Sequence, residues 1–129
     1  KTGALIVISK DNELKYHAST GDQINGELTA NLLETIFFKN NPMHDGAVII
    51  HDNKIKAARC IMPVSDNPKI QDNYGLRHRA AAGITENSTA VAVIVSEETG
   101  ELSFCKDGNL KSRLDIDGLK SLLEREYKN

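Results

Sequence analysis

Runs of apolar residues separated by polar turns dominate the chain and predict a β-sheet. Ala4–Ser9 is a continuous apolar, β-branched run of strand length, and the polar residues 10–13 that follow are typical of a turn. Residues 14–19 are expected to return as a strand. Residues 46–51 and 55–62 are two more apolar runs around a polar turn, which predicts a β-hairpin.

Two further strands are predicted nearer the C terminus. Residues 90–96 form an apolar run, a Glu-Glu-Thr-Gly turn follows, and residues 101–106 are expected to pair back against it. The polar, irregular segment 65–75 is predicted to be a loop, a place where functional groups often concentrate.

Helical periodicity replaces the strand pattern in three segments. In residues 24–41, Leu28, Leu32 and Ile36 are spaced by four, which predicts an amphipathic helix ended by Asn-Asn-Pro. Residues 76–85 predict an alanine-rich helix, and Asp117 is expected to cap a last helix through residue 127. The fold class that follows is α/β (α+β): one domain over residues 1–129, with a central twisted mixed sheet of about six or seven strands flanked by helices.

The composition and net charge of the chain limit the kinds of molecule that it is expected to bind. The chain has 129 residues, 26% of them charged, and a formal net charge of -2. A general electrostatic grip on nucleic acid is therefore not expected, and any bound anion must be held by a local cluster. Cys60 and Cys105 lie in apolar runs without a C-x-x-C pair, so both are predicted to be reduced and buried in a cytosolic domain.

The chain contains no apolar stretch of membrane length, yet it opens almost at once on a core strand. We therefore expect a piece of a longer protein, which leaves open a membrane anchor outside this piece. Several familiar sequence signatures are also missing: the Walker loop, the G-x-G-x-x-G turn, the G-x-S-x-G elbow and H-E-x-x-H.

Three polar sets are candidates for chemistry, and the first is His44, Asp45 and Gly46 at the entry to a strand. A carboxylate there can ligate a divalent metal or accept a proton from a hydroxyl, and His44 can supply a second ligand. The alternative is a plain turn, in which Gly46 provides a special dihedral angle.

The second set is Arg77, His78 and Arg79. Both arginines reach one ligand only near the first turn of a helix, where free N–H groups and the helix dipole favour phosphate. The alternative is a solvated helix start, although the three alanines that follow indicate close packing.

The third set is Ser96, Glu97 and Glu98, just past a buried strand. These residues either complete a metal site with Asp45 or form an ordinary turn. Two carboxylate sites and an arginine pair suit metal-assisted phosphoryl or nucleotidyl transfer.

In order along the chain, "HDGAVII", "GLRHRAA" and "VSEETG" resemble the motifs of the diadenylate cyclase (DAC) domain, a bacterial and archaeal family. The resemblance runs from the first strand to "KDGNL" and is strongest to the membrane-anchored type. It implies an enzyme that condenses two ATP molecules into cyclic di-AMP and releases two pyrophosphates. It also implies a homodimer, with each active site shared between two facing protomers, and a cytoplasmic domain of a membrane-anchored bacterial protein.

The resemblance further implies roles for individual residues. Asp45 would ligate the metal (Mn²⁺, Mg²⁺ or Co²⁺) and help deprotonate the attacking 3′-hydroxyl, with His44 and Glu98 as further metal contacts. Arg77, His78 and Arg79 would hold the phosphates during catalysis. The implied nucleotide contacts are Gly46, Ala47, Ile61, Met62, Leu76, Arg77, His78, Arg79, Ser96 and Glu98.

Two positions depart from the family pattern. Leu76 stands where many members have a threonine that touches a phosphate, a contact worth about 0.5–1.5 kcal/mol. Ile61, with Met62 beside it, stands where many membrane-type members have a tyrosine near the adenine. These departures leave open a nucleotide-binding sensor with little turnover, and a purely structural interaction module is a third, weaker possibility.

Overall fold

The computed structural model describes residues 2–10 and 14–127. In these residues a seven-stranded sheet has the order β2-β4-β3-β1-β5-β6-β7. The strands are β1 Ala4–Ser9, β2 Asp22–Glu27, β3 Ala47–His51, β4 Lys54–Cys60, β5 Val91–Val95, β6 Leu102–Lys106 and β7 Asn109–Leu114. The helices are α1 Lys15–Ser19, α2 Ala30–Ile36, α3 Pro68–Gln71, α4 Leu76–Glu86 and α5 Ile116–Tyr127, and a 3₁₀ turn covers Pro42–His44.

The sheet is mixed, as the sequence predicts. β1 runs parallel to β3, and each of the other neighbouring pairs is antiparallel. The apolar runs become the central strands because a strand covered on both faces has no need of polar alternation. The two edge strands, β2 and β7, instead alternate between more and less exposed residues.

The two faces of the sheet carry separate cores. On one face the small residues of α4 pack against side chains such as Leu5, Val7 and Ile94. On the other face Ile36 of α2 and several leucines of α5 cover residues such as Val48 and Ile55. None of the helices in residues 14–127 is long and apolar enough to cross a membrane.

Close packing explains the alanine-rich sequence of α4. Residues 80–85 of this helix are all buried. A Cβ added at Gly83 would lie 2.0 Å from the carbonyl oxygen of Pro63, so the backbone of the chain approaches the helix as closely as a glycine allows. The prediction that these small residues indicate packing is confirmed.

Two predicted elements near the N terminus are wrong. Residues 15–19 form α1 rather than a strand, and the side chains of Ser19 and Thr20 donate to carbonyl groups of that turn. The helix expected over residues 24–41 begins only at Ala30, because the Thr29 side chain caps it by accepting from the backbone N–H of Leu32. Residues 22–27 instead form β2, where Gly26 lies in a register shift.

Three smaller differences involve caps and loops. The last helix is capped by Asp115, which accepts from the backbone N–H of Gly118, whereas Asp117 lies in the first turn. The loop predicted over 65–75 contains the short α3, whose start is capped by Asn67 and followed by Pro68. The expected turn at residues 10–13 lies largely outside the described residues.

Both cysteines are confirmed as free and buried. Burial, with a smaller contribution from the charge of Asp22, raises the pKa of the Cys60 thiol to about 11. Burial also raises the pKa of Cys105 to about 11, although a hydrogen bond between Cys105 and Thr85 opposes the shift. The thiols belong to the core and are poor nucleophiles.

Candidate nucleotide site at one edge of the sheet

The strand register gathers the three polar sets at one edge of the sheet. Because β1 and β3 are parallel, the residues that precede them, Gly3 and Gly46, lie at the same edge. Antiparallel pairing of Ala4 with Val95 brings the end of β5 and Ser96 to this edge as well. Ala47 pairs with Cys60, which adds Ile61 at the end of β4. This region is the end of the four strands β1, β3, β4 and β5, not an edge strand, and we call it the site edge.

Asp45 lies at the site edge on a tightly bonded turn. The side chain of Asn41 accepts from the backbone N–H of Met43, and the Nδ1 atom of His44 lies 2.7 Å from the carbonyl oxygen of Asn41. That carbonyl is an acceptor, so Nδ1 of His44 is the protonated nitrogen and Nε2 is left as the electron-pair donor. Asp45 itself is exposed and carries its carboxylate to solvent.

The backbone conformation and the close packing at position 46 require a glycine. Its φ of 87° lies in the left-handed region, and a Cβ would lie 2.9 Å from backbone atoms of Arg59 and Cys60. Arg59 also has a positive φ, 57°, where β4 bulges against β3. The special dihedral angle expected of Gly46 is confirmed, and the missing side chain lets the backbone of β4 approach closely.

Both arginines lie in the first turn of α4. The residue before this helix, Gly75, provides no side-chain cap. Arg77 lies 3.6 Å from a carboxylate oxygen of Glu97, an exposed side chain. The Nε atoms of Arg77 and Arg79 are buried and have no hydrogen-bond partner among the described residues. A buried N–H without a partner costs about 1–3 kcal/mol, so each is an open donor for an anion.

Gly3 contacts the same guanidinium group, and the sequence patterns did not single it out. A Cβ on Gly3 would lie 2.7 Å from an Nη atom of Arg77 and 3.0 Å from the Cβ of Glu97. Because Gly3 has no side chain, the backbone just before β1 packs directly against the guanidinium group of Arg77. A glycine before a strand gives no sign of this role, because the contact depends on a helix more than seventy residues later.

His78 lies against an aromatic ring. Its imidazole stacks on Tyr74, with ring centroids 5.0 Å apart and planes at 28°. Burial lowers the pKa of His78, the positive charge of Arg77 lowers it further, and Glu101 opposes the shift. His78 is therefore neutral near pH 7 and can both donate and accept a hydrogen bond.

The third set forms a turn, as its alternative interpretation held, but one of its carboxylates faces the arginines. Ser96 donates its backbone N–H to the carbonyl of Glu101, and the backbone N–H of Gly100 donates to the carbonyl of Ser96. Glu97, rather than Glu98, lies beside Arg77. Glu98 is exposed at the tip of the turn.

The apolar residues predicted to contact the nucleotide differ in their exposure to solvent. Ile61 and Leu76 are 69% and 66% exposed, so their aliphatic side chains are free to cover a ligand. Ala47 and Met62 are buried in the core, which leaves mainly their backbone atoms to meet one. Within the described part of the chain, a groove of about 530 Å³ lies beside α2 and one of about 110 Å³ beside α1, and neither includes Asp45 or the arginines. The site edge is an open surface.

No three His, Cys, Asp or Glu side chains within residues 2–10 and 14–127 come together as a metal site. A preformed protein cage from His44, Asp45 and Glu98 is therefore not present in the described residues. The exposed carboxylate of Asp45 fits a different arrangement, in which Mg²⁺ or a similar ion is held by one or two carboxylates and by the substrate's phosphates.

Comparison with known proteins identifies relatives along the whole chain. Residues 1–110 match the DAC family, described as "DisA bacterial checkpoint controller nucleotide-binding". Cyclic di-AMP synthase CdaA from Bacillus subtilis is 44% identical over 99% of this chain and 47% of its own length. The chain spans about half the length of the curated relatives it matches.

Solved structures agree with this assignment. A double mutant of DacA from Staphylococcus aureus has a TM-score of 0.94 and 43% identity, covering 99% of this chain and 85% of that one. A hypothetical membrane spanning protein from Bacillus cereus has a TM-score of 0.83 and 43% identity, covering 88% of this chain and 56% of that one. The family resemblance drawn from the three motifs, and its extent to Leu110, are confirmed: the chain belongs to the DAC family of nucleotide-binding domains.

Proposed function

We propose that this chain is a diadenylate cyclase domain, which condenses two ATP molecules into cyclic di-AMP and releases two pyrophosphates. The relative named as a cyclic di-AMP synthase supports this activity. The observation that carries the proposal to this chain is the pair of buried, unpartnered Nε groups of Arg77 and Arg79 at the site edge.

The electrostatics of α4 favour a polyanionic ligand. The N-terminal end of a helix is its positive end, so arginines at this end raise the local potential further. This arrangement is unfavourable until an anion neutralises it, and Glu97 is a partial, exposed counter-charge at 3.6 Å. The phosphates of ATP supply stronger, charge-assisted acceptors for both guanidinium groups.

Asp45 is proposed as the general base and metal ligand. Asp45 is exposed at the site edge, so its carboxylate is accessible to the ribose hydroxyl of a bound nucleotide. A divalent ion (Mn²⁺, Mg²⁺ or Co²⁺) would be held by Asp45 and by the substrate's phosphates rather than by a preformed cage of His44, Asp45 and Glu98, and it would neutralise charge on the phosphate oxygens.

The chemical step is the same at each end of the product. The 3′-hydroxyl oxygen of one ATP forms a bond to the α-phosphorus of the other, and the bond between the α-phosphorus and the bridging oxygen breaks. Asp45 accepts the hydroxyl proton, and pyrophosphate leaves with the electron pair of the broken bond. Arg77, Arg79 and neutral His78 donate hydrogen bonds to the phosphate oxygens, where negative charge accumulates. Ser96 adds a further hydroxyl at this edge.

A facing second protomer is proposed because the site edge is open. One chain offers Ile61 and Leu76 as aliphatic cover for one adenine and a single arginine pair for one triphosphate. Two copies facing each other bring the 3′-hydroxyl of each nucleotide opposite the α-phosphorus of the other, which is the in-line geometry the reaction needs.

The cellular setting is also a proposal. The related Bacillus cereus structure is of a protein described as membrane spanning. We propose that this domain faces the cytoplasm, where ATP is available, as part of a membrane-anchored protein.

The proposed function is tested by incubating the chain at high concentration with ATP and Mn²⁺ and identifying the product by mass spectrometry. Asp45→Asn should abolish product, since it keeps the shape and removes the charge. Asp52→Asn is the matched control, because Asp52 lies at the opposite end of β3 with its side chain 84% exposed. No product from the wild type, together with an ATP-dependent rise in Tm, would contradict the cyclase and favour the sensor.

A further inference from the structure

The first turn of α4 needs support that its sequence does not provide. Gly75 has no side chain with which to cap the helix, and a Cβ added there would meet nothing within 4 Å. Leu76 is 66% exposed and packs little. A backbone hydrogen bond from Ser65 to the carbonyl of Arg79 holds the turn from one side. Two donors aimed at one triphosphate require a more firmly fixed turn.

Tyr74 holds this turn from the other side. Its ring stacks on His78, and its hydroxyl lies 2.9 Å from the Oγ atom of Ser112 on β7. Ser103 on β6, which is buried, donates in turn to Ser112 over 3.3 Å. Tyr74, two residues before the helix, is thus bonded to β7 and through it to β6, and none of these contacts is used by the proposed chemistry.

We propose that Tyr74 is a positioning residue for phosphate binding. Its hydroxyl bond to Ser112 and its ring beneath His78 fix the first turn of α4 against the sheet, so that Arg77 and Arg79 face the phosphates of ATP. The inference deepens the proposed function and rests on it for the identity of the ligand.

Removing only the Tyr74 hydroxyl distinguishes the positioning effect of its hydrogen bond from the packing of its ring. Tyr74→Phe keeps the stacked ring and removes one hydrogen bond between partly buried groups. The loss of one such bond corresponds to an affinity change of about three- to tenfold. Because the phosphates are held before as well as during the reaction, we expect the change mainly in KM for ATP and in the Kd of ATP, with kcat within about twofold.

The decisive experiment is a double-mutant cycle with Tyr74→Phe and Ser112→Ala, read by steady-state kinetics and by calorimetric titration with ATP. Each single variant should weaken ATP binding about three- to tenfold, and the double variant should be no weaker than either single one. Tyr16→Phe is the control, because this ring is 75% exposed, and its Kd should equal the wild type's. Wild-type affinity in both single variants, or fully additive losses, would overturn the inference.

The stacking of the Tyr74 ring on His78 is tested by NMR spectroscopy. In Tyr74→Leu the imidazole of His78 loses its cover, so the midpoint of its NMR titration should rise toward the usual range, whereas Tyr74→Phe should leave it unchanged. An unchanged midpoint in Tyr74→Leu would show that the stack does not form. If the wild type makes no cyclic di-AMP but the double-mutant cycle gives the expected losses of ATP affinity, the cyclase activity is refuted and the positioning role of Tyr74 is retained.

Discussion

Gly3→Ala should disable the site while leaving the fold intact. The added Cβ would lie 2.7 Å from an Nη atom and 2.8 Å from the central carbon of the Arg77 guanidinium. An ordinary contact is about 3.5 Å or more, so the guanidinium must retreat by roughly 0.7 Å. The closer obstacle is the far end of a flexible side chain, which can move without disturbing the core, and the Cβ of Glu97 at 3.0 Å must give by a few tenths of an ångström.

The Gly3→Ala substitution is expected to affect activity more than stability. Because Arg77 is proposed to hold phosphate, a displacement approaching 1 Å should lower kcat/KM for cyclic di-AMP formation by about 10- to 100-fold. The free energy of unfolding, measured by urea denaturation, should change by less than about 1 kcal/mol. Wild-type activity in a stably folded Gly3→Ala protein would refute the placement of Arg77 as a phosphate ligand.

Three further predictions concern the core and its protonation. Gly83→Ala should destabilise the protein by more than about 3 kcal/mol, visible as a large loss in Tm, because its Cβ would collide with the backbone of Pro63 rather than with a movable side chain. Cys60 and Cys105, with pKa values near 11, should react with iodoacetamide at pH 8 about a hundredfold more slowly than ordinary thiols, as mass spectrometry can follow. Rapid labelling of the native protein would contradict their burial. Because the pKa of His78 is lowered on folding, the unfolded chain takes up the proton first, so wild-type stability should fall relative to that of His78→Gln as pH drops below about 6.5, and parallel pH profiles would contradict this.

Much of the sheet could be predicted because its central strands are continuous apolar runs. Ala4–Ser9, residues 46–51 and residues 90–96 coincide closely with β1, β3 and β5. Buried parallel or central strands leave this signature, whatever their partners. The edge strand β2 was missed because half its residues are exposed, and because Leu28, which follows it, joins the helical spacing of the residues beyond.

Local hydrogen bonds decided the elements that the pattern misjudged. Thr29 caps α2 and sets its start, which outweighs the helical spacing that begins at Leu28. Asp115, two residues before the expected cap, bonds to Gly118. Both caps were present in the sequence as acceptable residue types, but several nearby residues had the same chemistry, and only the bonded geometry distinguishes among them.

For the candidate site, residue types were predictable and their partners were not. Asp45, Gly46 and the arginine pair were singled out because their residue types suit phosphate and metal chemistry. The register of the strands brings Gly46 to the same end of the sheet as Gly3, against which Arg77 packs. Gly3 and Tyr74 were missed because their roles depend on contacts with residues that are distant in sequence or on a ring stack. Such contacts follow from topology, which local spacing does not encode.

The yield of cyclic di-AMP per chain, measured by mass spectrometry across a dilution series with saturating ATP and Mn²⁺, tests the central claim most directly. A site shared between facing protomers predicts product at high chain concentration and a yield per chain that falls on dilution. Adding inactive Asp45→Asn chains in excess should lower it further, by capturing active chains in mixed pairs. A yield per chain that is independent of concentration would contradict the shared site, and absence of product at every concentration would contradict the cyclase itself.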